Sequence, residues 1–436
     1  MKVLMLGWEF PPLFTGGLGI ATYGIVKSLQ NKAKIRLIIP TVGEASELDN
    51  VTIIGLNTVT SKEVDVEKLN FSLSFPHTEV VEVPIQVSPY QYQNDILESN
   101  KLVSQLTNSF IESGLESLHS IFMDKNAYGF NLFHKVNLFA RVCEELCADG
   151  NFDVIHAHDW VTFPAALRIK RRTGKPLILH VHALETDRSG ESTRNEIYWL
   201  ERDSLQHAER IIAVSEYTKE QIVSHYQIDR AKITVVHNGI DPANFERVAH
   251  KLRDKLVIFL GRITHQKGPN FLLETAEKVA RVYPRVKFVV AGVGDQFSHL
   301  LETAAYKKVG NKFIFTGFLS KAKVNELLSM ADVYFMPSIS EPFGLTALEA
   351  AQHKVPSVIS SQSGAAEVMK ASLQADFWDT DKQANYIHAL LRYKVLNQEL
   401  SEAANRQLDD LSWDHATQKI MDVYQQVHFA HHHNLN

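Results

Sequence analysis

The feature that most limits how this chain can fold is an alternation that runs twice. A short apolar run is followed by a segment with apolar residues three and four apart, and then by another short run. In the first series residues 2–6, 34–40, 51–56, 154–157, 176–181, 210–214 and 233–236 read as strands. Residues 20–29, 131–149, 163–173, 194–207 and 216–225 read as helices, the first on Ile20, Tyr23, Ile25, Val26 and Leu29. Between them, residues 79–87 suggest one or two strands and 94–114 a helix. A second series begins at Lys255. Its strands are 256–260, 286–291, 313–316, 333–336 and 356–359, and its helices 268–282, 296–309, 321–331 and 343–352. Strands that alternate with helices pair in parallel, with helices on both faces. Two such series imply an α/β chain of two Rossmann-like domains. The first covers residues 1–248, the second 249–410, and the hinge lies near 245–253. Residues 411–436 hold one more amphipathic helix, around 412–424, and a tail. The tail histidines His431, His432 and His433 read as a solvated, frayed end.

A length of 436 residues suits two domains better than one. Hydrophobic residues make up 45% and charged residues 22% of the chain, as in an ordinary globular protein. The formal charge is -5 and no basic block stands out, so no nucleic-acid partner is expected. No run approaches the roughly 20 apolar residues of a membrane span. The start, broken by Trp8, Glu9, Pro11 and Pro12, does not read as a signal peptide, so a cytoplasmic location is expected. Cys143 and Cys147 lie in an apolar helical run and read as buried thiols.

Four loops that follow strands carry chemistry. Gly16, Gly17 and Gly19 stand between a strand and a helix. A helix N-terminus offers unpaired N–H groups, and glycine lets an anion approach them, so the loop serves either a diphosphate or a tight turn. Its spacing fits neither G-x-G-x-x-G nor a P-loop. Arg262 and Lys267 lie within the segment 261–268 and place two cations before a helix, which suits a diphosphate leaving group. Glu341 precedes a helix and Glu349 lies within it, with Phe343, Gly344 and Leu345 between. Carboxylates accept hydrogen bonds from sugar hydroxyls. His156, His158, Asp159 and Trp160 close a strand, and His180, His182, Glu185 and Asp187 follow a later one. His156 and His158 are two apart on a strand and the spacing fixes no third ligand, so no metal is expected there. A sugar cleft with an aromatic side chain and several hydrogen-bonding groups fits better. No G-x-S-x-G elbow is present, against a hydrolase.

The segments Trp8-Glu9-Phe10-Pro11-Pro12, Gly16-Gly17-Leu18-Gly19, His156-Ala157-His158-Asp159-Trp160 and Asn238-Gly239-Ile240-Asp241 resemble glycosyltransferase family 4. So do Gly261-Arg262 with Gln266-Lys267-Gly268, and Glu341-Pro342-Phe343-Gly344-Leu345 with Glu349. Within the family the chain is similar to the bacterial and archaeal glycogen and starch synthase-like enzymes. The resemblance implies a GT-B fold, with two domains facing across a cleft and a C-terminal helix crossing back to the first. It implies a retaining transfer of a hexose, chiefly glucose, from a nucleotide-sugar donor to a glucan or small sugar, with no cofactor and no metal. Arg262 and Lys267 would hold the donor diphosphate, and Glu341 with the 343–345 backbone the donor sugar. Glu349 would hold the ribose, and His182 would lie near the transferred sugar. Gly17 and Gly19 would approach the phosphates or the acceptor, with His158, Asp159 and Trp160 on the acceptor side. Two residues depart from the synthase pattern. Val161 stands where a His usually follows the HDW segment, and Phe14-Thr15 precede the glycine pair in place of Lys-x. UDP-glucose, ADP-glucose, a polymer and a small acceptor therefore all stay open, as does a non-catalytic glycan- or nucleotide-binding role.

Overall fold

The computed structural model describes residues 1–13, 16–43, 48–60, 119, 121–123, 132–243, 245 and 253–433. They form two sheets, every strand pair parallel. The first contains β1 (Lys2–Leu6), β2 (Lys34–Ile39), β3 (Val51–Gly55), β4 (Val154–His158), β5 (Leu177–Val181), β6 (Arg210–Ala213) and β7 (Ile233–Val235), in the order β3-β2-β1-β4-β5-β6-β7. The second contains β8 (Lys255–Leu260), β9 (Val286–Ala291), β10 (Phe313–Gly317), β11 (Val333–Met336), β12 (Ser357–Ser360) and β13 (Leu373–Ala375), in the order β10-β9-β8-β11-β12-β13. The helices of the first series are α1 (Gly17–Leu29), α2 (Leu132–Leu146), α3 (Phe163–Thr173), α4 (Glu185–Ser189), α5 (Glu196–His207) and α6 (Glu216–Tyr226). Those of the second are α7 (Pro269–Val282), α8 (Phe297–Tyr306), α9 (Lys321–Ser329), α10 (Leu345–Gln352), α11 (Ala365–Val368), α12 (Thr380–Arg392) and α13 (Lys394–Gln407), and α14 (Trp413–His433) closes the chain.

A parallel sheet is covered on both faces, so its central strands are apolar on both. In β4 and β5 all ten residues are buried. One face of the first sheet sends Leu4, Leu6, Ile155, Ala157, Leu177 and Leu179 against α2, α3, α5 and α6. The other sends Val3, Met5, Ile35, Leu37, Val154 and Ile178 against α1 and α14. His156, His158 and His180 fall on this second face, because side chains two apart share a face. α14 is thus a working part of the first domain, as the resemblance implies. Trp413 lies so close to α1 that a Cβ on Gly24 would stand 2.2 Å from its ring, and Ser28 Oγ meets Thr417 Oγ1 at 2.7 Å. The second sheet repeats the plan, with Leu256, Ile258, Tyr334 and Met336 on one face and Val257, Phe259, Val333 and Phe335 on the other.

Several elements differ from the sequence reading. α14 runs on to His433, so His431, His432 and His433 form its last turn rather than a frayed tail. The buried Ile420, Val423, Tyr424 and Val427 continue its apolar stripe and keep the helix going. The second sheet gains a sixth strand, β13, and the helices α11, α12 and α13 lie in a stretch given no elements from the sequence. α10 starts at Leu345, because Gly344 adopts a left-handed φ of 97° and caps it. The elements expected at 79–87 and 94–114, and most of the hinge, lie outside the described residues. Cys143 and Cys147 are buried and unpaired as disulfides. Among the described residues no helix is long and apolar enough to cross a membrane.

Candidate active site

In the second domain three loops leave the carboxyl ends of adjacent strands, the edge where open α/β sheets collect ligands. The loop after β8 turns at Gly261 and again at Gly268, whose φ is 68°. A Cβ on Gly268 would lie 2.1 Å from the carbonyl oxygen of Pro337, so only glycine allows the two loops to touch. They are then tied together, as the N–H of Ile339 donates to the carbonyl of Gln266 at 2.9 Å. This contact brings Lys267 to Glu341, Nζ to Oε2, at 2.5 Å. The side chains are 22% and 8% exposed, so the pair is mostly withdrawn from water. Ser338 Oγ donates to the same carboxylate at 3.2 Å. The backbone of Glu341 is pinned on both sides, its N–H to Gln362 O and its C=O from the Gly364 N–H, each at 3.0 Å. Arg262 is exposed on the loop that carries Lys267.

The other donor-side residues are placed less uniformly. Glu349 sits on α10 and pairs with Lys321 at 2.5 Å, not with the loop cations. Tyr334, buried on β11 and bonded to Thr346 Oγ1 at 2.7 Å, feels both Glu341 and Glu349. The ring of Phe343 is buried in the hydrophobic core, 4% exposed, so it offers no face to a base or sugar. That corrects the side-chain contact expected of it. Its backbone, with Gly344 and Leu345, still forms the entry to α10.

The first domain corrects the sequence reading more strongly. The N–H of Gly19 is already spent on Glu9 Oε2 at 3.2 Å. A buried carboxylate at a helix N-terminus takes the place an anion would occupy, so Gly19 offers no free donor, whereas Gly17 is exposed with open space around it. Trp160 is 3% exposed and packs on Phe133 in the core, with ring centroids 5.4 Å apart, so it is not a cleft aromatic. His158 is fully buried and reaches the cleft only through His182, Nδ1 to Nε2 at 2.9 Å. His182 is half-buried. Asp159 holds the turn behind it. Its φ is 58°, and its Oδ1 accepts the N–H of His182 at 2.7 Å and of Ala183 at 3.3 Å. Burial pushes its pKa up to about 7, against the pull of those N–H groups.

Beneath His182 the histidines form one buried group. His156 Nδ1 meets Tyr424 Oη at 2.6 Å and His156 Nε2 meets His180 Nδ1 at 3.2 Å. Ligand atoms of His156, His158 and His180 lie within 4.8 Å of one another. The third residue that sequence spacing did not fix is supplied by the parallel register, which sets His158 beside His180.

The two domains meet at this site. Ser340 Oγ donates to Asp187 Oδ1 at 2.5 Å and meets Tyr217 Oη at 2.9 Å. Ser215 Oγ donates to Pro342 O at 2.6 Å. Glu367 accepts the N–H groups of Glu216 and Tyr217 at the start of α6, and meets His237 Nε2 at 2.8 Å. Asp187 lies on α4, knotted by Arg188 to Glu185 and Glu201 at 2.9 and 2.7 Å. Sequence reasoning named Asp187 but no partner for it, and missed Tyr217, Ser340 and Glu367. Only the helix-start pattern of Ser215 and Glu216, or the position of Ser340 beside Glu341, offered a signal.

Two facing parallel domains, with a cation–carboxylate pair at the carboxyl edge of one and a buried Asp–His turn at the edge of the other, form a GT-B glycosyltransferase. The family model Glycosyltransferase Family 4 matches residues 116–244, and Glycosyl transferases group 1 matches 241–407. An uncharacterized glycosyltransferase of Methanocaldococcus jannaschii is 25% identical over 447 residues, covering 97% of this chain and 98% of the relative. Glycogen synthase of Mycobacterium tuberculosis is 23% identical over 437 residues, covering 97% and 94%. Among solved structures, sucrose-phosphate synthase from Thermosynechococcus elongatus aligns with a TM-score of 0.69 at 16% identity, over 99% of this chain and all of that one. The chain belongs to glycosyltransferase family 4.

Proposed function

We propose that this glycosyltransferase is a retaining hexosyltransferase that moves glucose from a nucleoside diphosphate donor to a glucan or small sugar held between the domains. The observation that carries the reading is the Lys267–Glu341 pair at the carboxyl edge of the second sheet, a cation that suits a diphosphate beside a carboxylate that suits sugar hydroxyls. Arg262 and Lys267 take the diphosphate, and Glu341 takes sugar hydroxyls once Lys267 turns to the phosphates. The backbone at 343–345 adds N–H donors, and Glu349 binds the ribose after releasing Lys321. His182 faces the transferred sugar, with His158, Asp159 and Trp160 behind it as supports, and Gly17 borders the acceptor.

The acceptor hydroxyl attacks the anomeric carbon on the face from which the diphosphate leaves. A new C–O bond forms as the old one breaks, and the leaving phosphate oxygen takes the hydroxyl proton. Negative charge grows on the diphosphate at that moment, so cations fixed beside it favour the transition state over the ground state. Two basic side chains supply the charge that a metal would otherwise bring, so the reaction needs no cofactor. The near full-length match to a glycogen synthase supports a glucan product.

The test is nucleoside diphosphate release over UDP-, ADP- and GDP-sugars, with glycogen, maltose and glucose 1-phosphate as acceptors. Release from a glucose donor with an acceptor, and an α-linked product by NMR, are expected. Release from GDP-mannose alone would overturn the glucose assignment, and donor binding without release under any pairing would overturn catalysis.

A further inference from the structure

We propose that His156, His158 and His180 form a zinc-class divalent cation site inside the first domain, beneath the cleft and outside the transfer reaction. Three imidazoles on one face of β4 and β5 bring ligand atoms within 4.8 Å of one another. His156 Nε2 and His180 Nδ1 are 3.2 Å apart. The edge of a tetrahedron with metal–nitrogen bonds of 2.0–2.1 Å is about 3.4 Å, so this pair already has the required spacing. His158 supplies the third atom. Its Nε2 is buried with no hydrogen-bond partner among the described residues, and so is Nε2 of His180. A buried polar atom left unpaired costs about 1–3 kcal/mol, and a bound cation removes that cost for His158. The widest pair of ligand atoms must close by about 1.4 Å to reach the tetrahedral edge, a movement within reach of imidazole rotation.

Two of the three outer nitrogens point the same way, while that of His180, Nε2, has no acceptor among the described residues. A metal-bound histidine ordinarily gives its other N–H to an acceptor, which fixes the ring. His156 Nδ1 lies 2.6 Å from Tyr424 Oη, and His158 Nδ1 lies 2.9 Å from His182 Nε2. Burial holds all three rings neutral, the form that binds a metal. Imidazole-only ligation selects zinc, copper or nickel over magnesium or calcium. The cation has a consequence for the cleft. With Nε2 of His158 on the metal, its proton must sit on Nδ1 and be donated to His182 Nε2. His182 then carries its own proton on Nδ1 and presents a donor.

The test uses the full chain with His431, His432 and His433 replaced by Ala, so that the exposed histidines cannot compete. After chelation the protein is dialysed against Zn²⁺ or Co²⁺ and bound metal is counted. One ion per chain is expected, with the visible absorption of low-coordinate Co²⁺, and His180→Asn should weaken binding at least about 100-fold. No stoichiometric binding, or binding unchanged by His180→Asn, would mean an adventitious ion only. If His180→Asn does not fold, X-ray absorption of the zinc-loaded tail variant decides. Three imidazoles at about 2.0–2.1 Å support the site, and a shell of oxygens overturns it.

Discussion

Replacing Lys267 with Ala tests the whole reading of the second domain. The ammonium sits 2.5 Å from Glu341 Oε2, and neither side chain is more than 22% exposed. Its loss has two effects. The diphosphate loses a preorganised cation, a change of the kind that costs about 2.7–4 kcal/mol or 10²–10³ in turnover when a single oxyanion donor is removed. Among the described residues Glu341 then keeps only Ser338 Oγ, at 3.2 Å, as a side-chain hydrogen-bond partner. Leaving one member of a buried pair behind costs stability by up to about 3–5 kcal/mol, so melting must be measured beside activity to show that the variant folds. The assay is nucleoside diphosphate release over a range of donor concentrations at saturating acceptor, which gives both kcat and kcat/KM. A double-mutant cycle with Glu341→Gln separates the two effects. Lys267 and Glu341 bind adjoining parts of one donor, so the two losses should interact by more than about 0.5 kcal/mol in kcat/KM. Turnover within threefold of the parent in a folded Lys267→Ala chain, or two losses that simply add, would refute the argument.

Other outcomes follow from the same contacts. Ser340→Ala should strip Asp187 and Tyr217 of a shared partner and favour domain opening by about 1–3 kcal/mol, visible as a larger radius of gyration in small-angle scattering with donor bound. Burial raises the pKa of Glu201 to about 8, above its value in the unfolded chain and against the pull of Arg188 and Tyr226. It therefore costs stability increasingly as pH rises from about 4.5 to 8. Urea unfolding should show the wild type losing about 1.4 kcal/mol per pH unit relative to Glu201→Gln over pH 5–8, and parallel curves would rule this out. Gly24→Ala should drive a methyl into the Trp413 ring and lower stability by about 1–3 kcal/mol, read by thermal melting.

How much of this was legible beforehand depended on what decides each position. Lys267 and Glu341 were readable because strand, loop and helix order alone puts both at one sheet edge. Gly268 was readable as a loop glycine, but its contact with Pro337 needs the second loop in place. Trp160 and Phe343 misled, since a motif tells which residues recur together and not which way each ring turns. Their burial is set by Phe133 on α2 and by the core beneath α10. Gly19 misled for a similar reason, because its N–H is claimed by Glu9 ten residues upstream. The histidine group could not be read at all from spacing. It needs the register of β4 on β5, and Tyr424 from the far end of the chain.

That last contact bears on how the molecule is made. His156 and Tyr424 are 268 residues apart. At synthesis rates of about 5–20 residues per second, a ribosome needs roughly a quarter to most of a minute to travel from one to the other. Through that interval the face of the first sheet that carries Val3, Met5, Val154 and Ile178 has α1 against it but not α14. The first half of the chain to be translated is thus the last to complete its packing.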